Sequence, residues 1–326
     1  MKALVFEAPR RAVVAEREPP AIGADEVLVR SHAVGICHSD FELYAGRYII
    51  PVQYPIIPGH EWAGEVVEVG KEVTGLKPGD RVVGECVVGP GGRDHFGFSI
   101  DGANAEYFRA RAEWLHVLPD ELSYTAGALV EPFSVAYNAT HTAGGVDPSD
   151  HVAVLGGGPI GLLCVAASAA HNATVTLIEP QQARRAKALD LGAHDALDPT
   201  ASDFAEAVEA STAGRGYDVV LEAAGAPAAM ASALEVAGRG ARIVFVGIDI
   251  GSSAPAKLGL IQSKALRIQG IIGSAGLWPK TIRFLASGVV DPSMIVTARF
   301  PLASALDALE AARDAAHNVK VHIQTA

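Results

Sequence analysis

Cysteine is scarce in this chain: Cys37, Cys86 and Cys164 are the only three among 326 residues. An odd, widely spaced set does not make a disulfide framework, so a reducing, cytoplasmic setting is expected. Basic residues are outnumbered, 26 Lys and Arg against 37 Asp and Glu, giving a formal net charge of −11. Such a surface repels phosphate backbones and argues against nucleic acid as a partner. There is no block of like charges, no internal repeat and no low-complexity linker. The opening MKALVFEAPRR lacks the basic start, long apolar run and cleavage site of a secretory leader, and none is expected. One charge-free stretch, residues 152–170, approaches membrane-spanning length. Four glycines (156, 157, 158 and 161) and Pro159 interrupt it, so a buried strand, a glycine turn and a buried helix explain it better than a membrane span.

What is present suits a large globular chain. Apolar residues make up 49% and charged residues 19%, and the length fits two domains. Residues 1–134 read as β-rich. MKALVFEA, DEVLVRSHAV, GEVVEVG and DRVVGECVV are short valine-rich runs, with two more segments at 105–109 and 114–118. Turn signals such as Pro78-Gly79-Asp80 separate them, which suggests a partly open barrel or sandwich. Residues 123–142 read as one or two helices, with Pro132 marking a break or a new first turn.

Residues 135–272 alternate strand and helix. HVAVLG, TVTLIE, DVVLEAAG and ARIVFVG are strands that are apolar throughout, and helices are expected at 159–171, 181–191 and 227–237. This predicts an α/β domain with a doubly wound parallel sheet covered on both faces. In residues 273–326 a helix (280–287), a strand (294–300), a helix (302–316) and the strand-like VKVHIQ follow, so the chain is expected to return to the first domain.

The strongest local signal is Gly156-Gly157-Gly158-Pro159-Ile160-Gly161, set between a strand and a helix. This is GxGxxG in its required context. Gly156 allows the tight turn, Gly158 lets a pyrophosphate approach and Gly161 permits close helix–strand packing. The free N–H groups at the start of the helix, from Pro159 and Ile160 onward, suit phosphate. Glu179 ends the next strand, 21 residues after Gly158, where a carboxylate can accept both ribose hydroxyls and repel a 2′-phosphate. NAD is therefore favoured over NADP, although Arg184 and Arg185 lie near enough to serve NADP. Glu222, Gly225 and residues 246–248 and 271–273 either line the nicotinamide side or simply pack.

A second constellation is Cys37 in GICHSD, His60 and Glu61 in PGHEW, and Glu131 in LVEPF. Thiolate, imidazole and carboxylate are zinc ligands, and a catalytic zinc uses three of them with one position open. The spacing matches no short-range finger, and by spacing alone a cysteine and a histidine this far apart are more often unconnected.

In this order, GICHSD, PGHE, GDRV, EPFSVAYNA and VLGGGPIG resemble the zinc-containing medium-chain alcohol dehydrogenases across essentially the whole chain. The resemblance implies a GroES-like catalytic domain (1–134, completed by 273–326), a Rossmann domain (135–272) and a zinc in the cleft between them. It implies zinc ligation by Cys37 and His60, with Glu61 ligating directly or exchanging with water. Glu131 falls where alcohol-type members carry a cysteine and polyol-type members a glutamate, so the sorbitol and threonine dehydrogenase branch is the closer match. Asp40 resembles the carboxylate that orients the zinc histidine. Ser39 resembles the hydroxyl that passes the substrate proton outward. The role of His38 is open. A small-molecule secondary alcohol of polyol, sugar or cyclitol type is the implied substrate, and the runs GFSIDGANAEYF and MKALVFEAP are similar to aminocyclitol-oxidising members. The family also implies a homodimer or homotetramer.

Two departures stand out. The family often carries four cysteines in a structural zinc lobe, where this chain has GECVVGPGGRDHFGFSIDGANAEYF and only Cys86. One catalytic zinc and no structural zinc are therefore expected, with Cys86 a buried strand residue. Relatives often place a relay histidine just past Ser39, where this chain has Phe41, Glu42, Leu43 and Tyr44, leaving Glu42 or water as the proton exit. Ser39, Leu43, Trp62, Phe96, Glu131 and Trp278 are the expected pocket residues. Two other readings stay open: a zinc-free NAD(P)H quinone or carbonyl reductase of the same superfamily, and a non-catalytic NAD-binding protein.

Overall fold

The computed structural model describes residues 1–47 and 52–325. The chain forms two compact units, 1–131 with 278–326, and 132–277. The divisions fall at Glu131/Pro132 and Leu277/Trp278 rather than at 134 and 272. The second differs because Trp278 is 2% exposed and stacks its ring on His116, 5.6 Å between centroids, so the helix it opens packs with the β-rich unit.

The first unit begins with the antiparallel hairpin β1 (Lys2–Ala8) and β2 (Arg11–Glu16). Strand β3 (Glu26–Gly35) buries every second residue along most of its length, as a strand with one core face must. It leads into helix α1 (His38–Ala45). Strands β4 (Glu61–Val69) and β5 (Arg81–Gly84), the short pair β6 (Val87–Val88) and β7 (Asp94–His95), then β8 (Tyr107–Arg111) and β9 (Leu115–Val117) follow. Two helices cover 123–142, α2 (Tyr124–Ala128) and α3 (Val130–Thr142). Ser123 caps α2 through its hydroxyl, and Pro132 lies in the first turn of α3, where its missing N–H costs nothing.

The second unit alternates β10 (His151–Leu155), α4 (Pro159–Ala170), β11 (Thr174–Ile178), α5 (Gln182–Asp190), β12 (Asp195–Leu197), α6 (Phe204–Thr212), β13 (Tyr217–Glu222), α7 (Pro227–Val236), β14 (Ala237–Phe245), α8 (Leu260–Ser263) and β15 (Arg267–Gly270). The sheet is parallel in the order β12-β11-β10-β13-β14-β15. This is the doubly wound Rossmann arrangement. Sequence reading missed β12, α6, α8 and β15: the last is exposed along its whole length and lacks the apolar run of a central strand.

The chain then returns through α9 (Trp278–Ala286), β16 (Val296–Pro301), α10 (Ala305–Arg313) and β17 (Lys320–Gln324). Short 3₁₀ turns, 292–295 and 302–304, replace the first residues of the expected strand and second helix. The main sheet of the first unit runs β16-β17-β3-β4-β5-β9, with β8 also on β3. The last strand thus lies directly beside β3. Among the described residues no helix is long and apolar enough to cross a membrane.

Trp62, Phe96 and Phe108 form one aromatic cluster at the centre of the β-rich unit, with ring centroids 4.6–5.7 Å apart. Trp62 and Phe96 are therefore core rather than pocket wall, because both rings are spent on each other and on Phe108. Leu43 is likewise buried, packed with Leu4, Phe6, Phe98, Leu309 and Ile323.

Candidate active site

Helix α1 begins where β3 ends. Cys37 is its N-cap, and the Cys37 N–H donates to Asp40 Oδ2 at 2.8 Å. Asp40 therefore has two tasks: it closes the first turn of α1, and its other oxygen faces His60 Nδ1 at 3.7 Å. That separation is too long for a hydrogen bond, and both atoms are buried without a hydrogen-bond partner. The His60 ring lies against Phe98, centroids 4.7 Å apart. Burial disfavours its charged form, but the negative charge of Asp40 beside it and the Cys37 side chain outweigh it. They hold the His60 pKa well above the ordinary value.

Glu61 follows His60 as the first residue of β4 and is 1% exposed. One ligand atom each from Cys37, His60 and Glu61 lies within 4.8 Å of the others, and among the described residues these are the His, Cys, Asp and Glu side chains grouped this way. A thiol, an imidazole and a carboxylate converging on one spot, with the imidazole's far nitrogen turned toward an unpartnered carboxylate oxygen, fit a zinc ion.

Glu131, at the start of α3, is not in that trio but shares its electrostatics. Its residue surface is only partly covered, yet the carboxyl is shut off from water. That desolvation raises its pKa, with His60 opposing the rise and Glu61 adding to it. Ser39 is partly exposed in the first turn of α1, and His38 beside it is exposed. Cys86 departs from the expected buried strand cysteine. It is partly exposed, lies just outside β5 and β6, and its thiol sits within electrostatic reach of His60 and Glu131. Burial of that thiol pushes its pKa up to about 12.

Sequence reading missed Lys320. It lies on β17, 2% exposed, and its ammonium donates to both Glu61 oxygens at 2.8 and 2.6 Å. No motif marks it: only the pairing of β17 beside β3 brings residue 320 to residue 61.

In the other unit the glycine turn is built on backbone contacts. Gly156 has φ +96°, and a Cβ on Gly161 would overlap the Gly156 carbonyl, so neither position tolerates a side chain. Gly158 caps α4 and nothing stands within 4 Å of where its Cβ would be. Pro159 and Ile160 are partly exposed in the first turn. A turn of this shape at a helix N-terminus fits a dinucleotide pyrophosphate. Glu179 turns its carboxylate into the turn, accepting the Gly157 N–H at 2.6 Å and the Gln181 N–H at 2.8 Å. Arg184 lies beside the same turn: a Cβ on Gly157 would meet its Cβ at 3.0 Å. Arg185 is already engaged by the carbonyls of Glu179 and Pro180 and by Asp198. Glu222 is buried and braces the 223–225 turn through the N–H groups of Ala224 and Gly225, so it reads as a strut.

The Alcohol dehydrogenase GroES-like domain family matches residues 23–120, and the Zinc-binding dehydrogenase family matches residues 159–287. The sorbitol dehydrogenase of Bacillus subtilis (strain 168) is 37% identical over 334 residues, covering 96% of this chain and 93% of the relative. The chain belongs to the zinc-dependent medium-chain alcohol dehydrogenases. As a member of that family it is an enzyme, an oxidoreductase of the zinc alcohol dehydrogenase type. Two solved structures are similar over nearly the whole chain. A zinc-binding dehydrogenase from Sinorhizobium meliloti 1021 bound to NADP has a TM-score of 0.91 and 29% identity, with 99% of each chain covered. A short chain alcohol dehydrogenase from Escherichia coli complexed with NADH has a TM-score of 0.91 and 27% identity, covering 100% of this chain and 99% of the other. Both nicotinamide cofactors thus occur on this fold.

Proposed function

We propose that this dehydrogenase oxidises a secondary alcohol of polyol, sugar or cyclitol type with NAD, at a zinc held by Cys37, His60 and Glu61. The carrying observation is the convergence of those three donors within 4.8 Å. The likeness to sorbitol dehydrogenase supports the polyol class.

Zinc, when bound, supplies Lewis acidity that lowers the pKa of a coordinated hydroxyl. The chain's own residues do the rest. Asp40 orients the His60 ring through Nδ1. Ser39, one residue before Asp40, takes the substrate proton and passes it outward. Glu131, whose carboxyl pKa desolvation raises to about 7, can carry or release a proton near neutral pH beside the donor trio. Gly156, Gly158, Pro159, Ile160 and Gly161 shape the phosphate seat, and Arg184 lines it.

Two observations support NAD over NADP. Glu179 places a carboxylate in the glycine turn, with lone pairs beyond the two its backbone donors use. Arg185 is tied to carbonyls and to Asp198 rather than free to meet a 2′-phosphate. We also assign the chain to the cytoplasm and to a homodimer or homotetramer. Among the described residues strand β15 ends its sheet with Ile268 exposed, and Ile248 and Ile250 after β14 and Ile272 after β15 are exposed as well.

The test is a cofactor-reduction assay with NAD and with NADP over polyols, cyclitols and simple alcohols, with and without a chelator, alongside metal analysis. NAD reduction by a polyol or cyclitol, lost on chelation and restored by zinc, is the expected result. Activity that survives complete zinc removal would end this reading.

A further inference from the structure

The Lys320–Glu61 pair is more than a neutralised carboxylate. All three ammonium protons are committed: two to the Glu61 oxygens, and one to the Ile36 carbonyl at 3.1 Å. Gly35 makes room for this. It pairs with Glu61 across β3 and β4 and with His322 across β3 and β17, so the three share one face of the sheet. A Cβ on Gly35 would overlap Glu61 Oε2, so the carboxylate leans across the bare Cα of Gly35 toward the last strand.

His322 stands two residues along β17 from Lys320, on the same face. It is 0% exposed and neither ring nitrogen has a hydrogen-bond partner. Burial first, and the Lys320 charge second, push its pKa down to about 3, so the ring is neutral and one nitrogen is an acceptor. The last strand thus brings a cation that grips Glu61 and, beside it, a spare acceptor for that cation.

We propose that Lys320 is a positioning residue that makes Glu61 an exchangeable ligand: ammonium and metal ion compete for one carboxylate. This rests on the zinc reading above. When a Glu61 oxygen turns toward Cys37 and His60, Lys320 keeps its bond to Ile36 and its freed N–H turns to His322. When Glu61 turns back, the ammonium receives it. The family motif supplies Glu61, but the residue that sets how firmly Glu61 holds the ion lies 259 positions later.

The experiment measures zinc affinity of the purified full-length protein by competition with a chromophoric chelator, and the visible spectrum of the cobalt-substituted form. It compares wild type, K320M, E61Q and K320M/E61Q. Removing the competitor should tighten zinc binding by about tenfold in K320M and alter the cobalt bands. In the E61Q background, K320M should change neither. A purely structural ion pair gives a different pattern: K320M weakens zinc binding, or leaves it unchanged, alike in both backgrounds, and that result overturns the proposal. If K320M does not fold, K320R decides. Its planar fork holds a carboxylate at two points, so zinc binding should loosen, and unchanged affinity overturns the proposal. A wild-type protein that binds no zinc would instead refute the underlying metal reading.

Discussion

The two candidate sites are built in opposite ways. The glycine turn is local: residues 156–161 and Glu179 lie on two successive βα units, and most of its contacts are made by backbone. The metal-type site is assembled from afar. Cys37 comes from the start of α1, His60 and Glu61 from the start of β4, Glu131 from α3 and Lys320 from β17, and side chains make its contacts. A backbone site tolerates many sequences but no added atoms at its tight points. A side-chain site tolerates movement of its scaffold but not loss of one donor.

This contrast can be broken or sharpened by mutation. The largest effect is expected for Cys37→Ser, which removes the thiolate. Zinc content should fall to background in metal analysis, and turnover on the order of a thousand-fold, the scale of several kcal/mol of lost charge stabilisation. Retained zinc and activity would show that the trio is not a metal site. Next comes Gly161→Ala. Its added methyl overlaps the Gly156 carbonyl, so thermal unfolding should show a loss of roughly 1–3 kcal/mol.

Asp40→Asn should weaken zinc binding by about 10–100-fold, because His60 loses the carboxylate facing its Nδ1. Chelator competition reads this directly. Gly158→Ala is the informative counterpart of Gly161→Ala. Its methyl meets no protein atom within 4 Å, so the melting temperature should hold while NADH binding, followed by fluorescence titration, weakens by about tenfold. Were both glycine variants to melt early, the turn would be a packing device and not a phosphate seat.

Near neutral pH the smallest effect is on pH dependence, which grows only as acid is added. His322 is held near a pKa of about 3, against 6.5 for an ordinary histidine. Between those values the unfolded chain binds a proton that the folded chain refuses. The stability from keeping His322 neutral is therefore complete above pH 6.5 and is lost as pH falls toward 3, by up to about 1.4 kcal/mol per pH unit. His322→Leu should flatten that acid-side slope in urea unfolding, and an unchanged slope would place the proton elsewhere.

Legibility followed the same division. The glycine turn, Glu179 and the apolar strands of the Rossmann sheet could be read from spacing, because the chemistry sits within a few dozen consecutive residues. Cys37, His60 and Glu61 could be singled out by residue type and by family resemblance, but spacing alone left them unconnected. Trp62 and Phe96 look like pocket walls in sequence and prove to be core, since an aromatic side chain carries no mark of which face of its strand it occupies. Lys320 and His322 were invisible, being ordinary polar residues in a short terminal strand.

By itself, the sequence determined what backbone geometry and periodicity control: a strand–turn–helix with glycines where side chains cannot fit, and apolar strands that demand cover on both faces. Only the tertiary structure decided which distant donors meet. Pairing β17 with β3 and β3 with β4 stacks residues 322, 35 and 61 on one face, and that register sets a lysine against the carboxylate beside the zinc-type donors. Strand register depends on the whole sheet's packing, and no local run of residues encodes it.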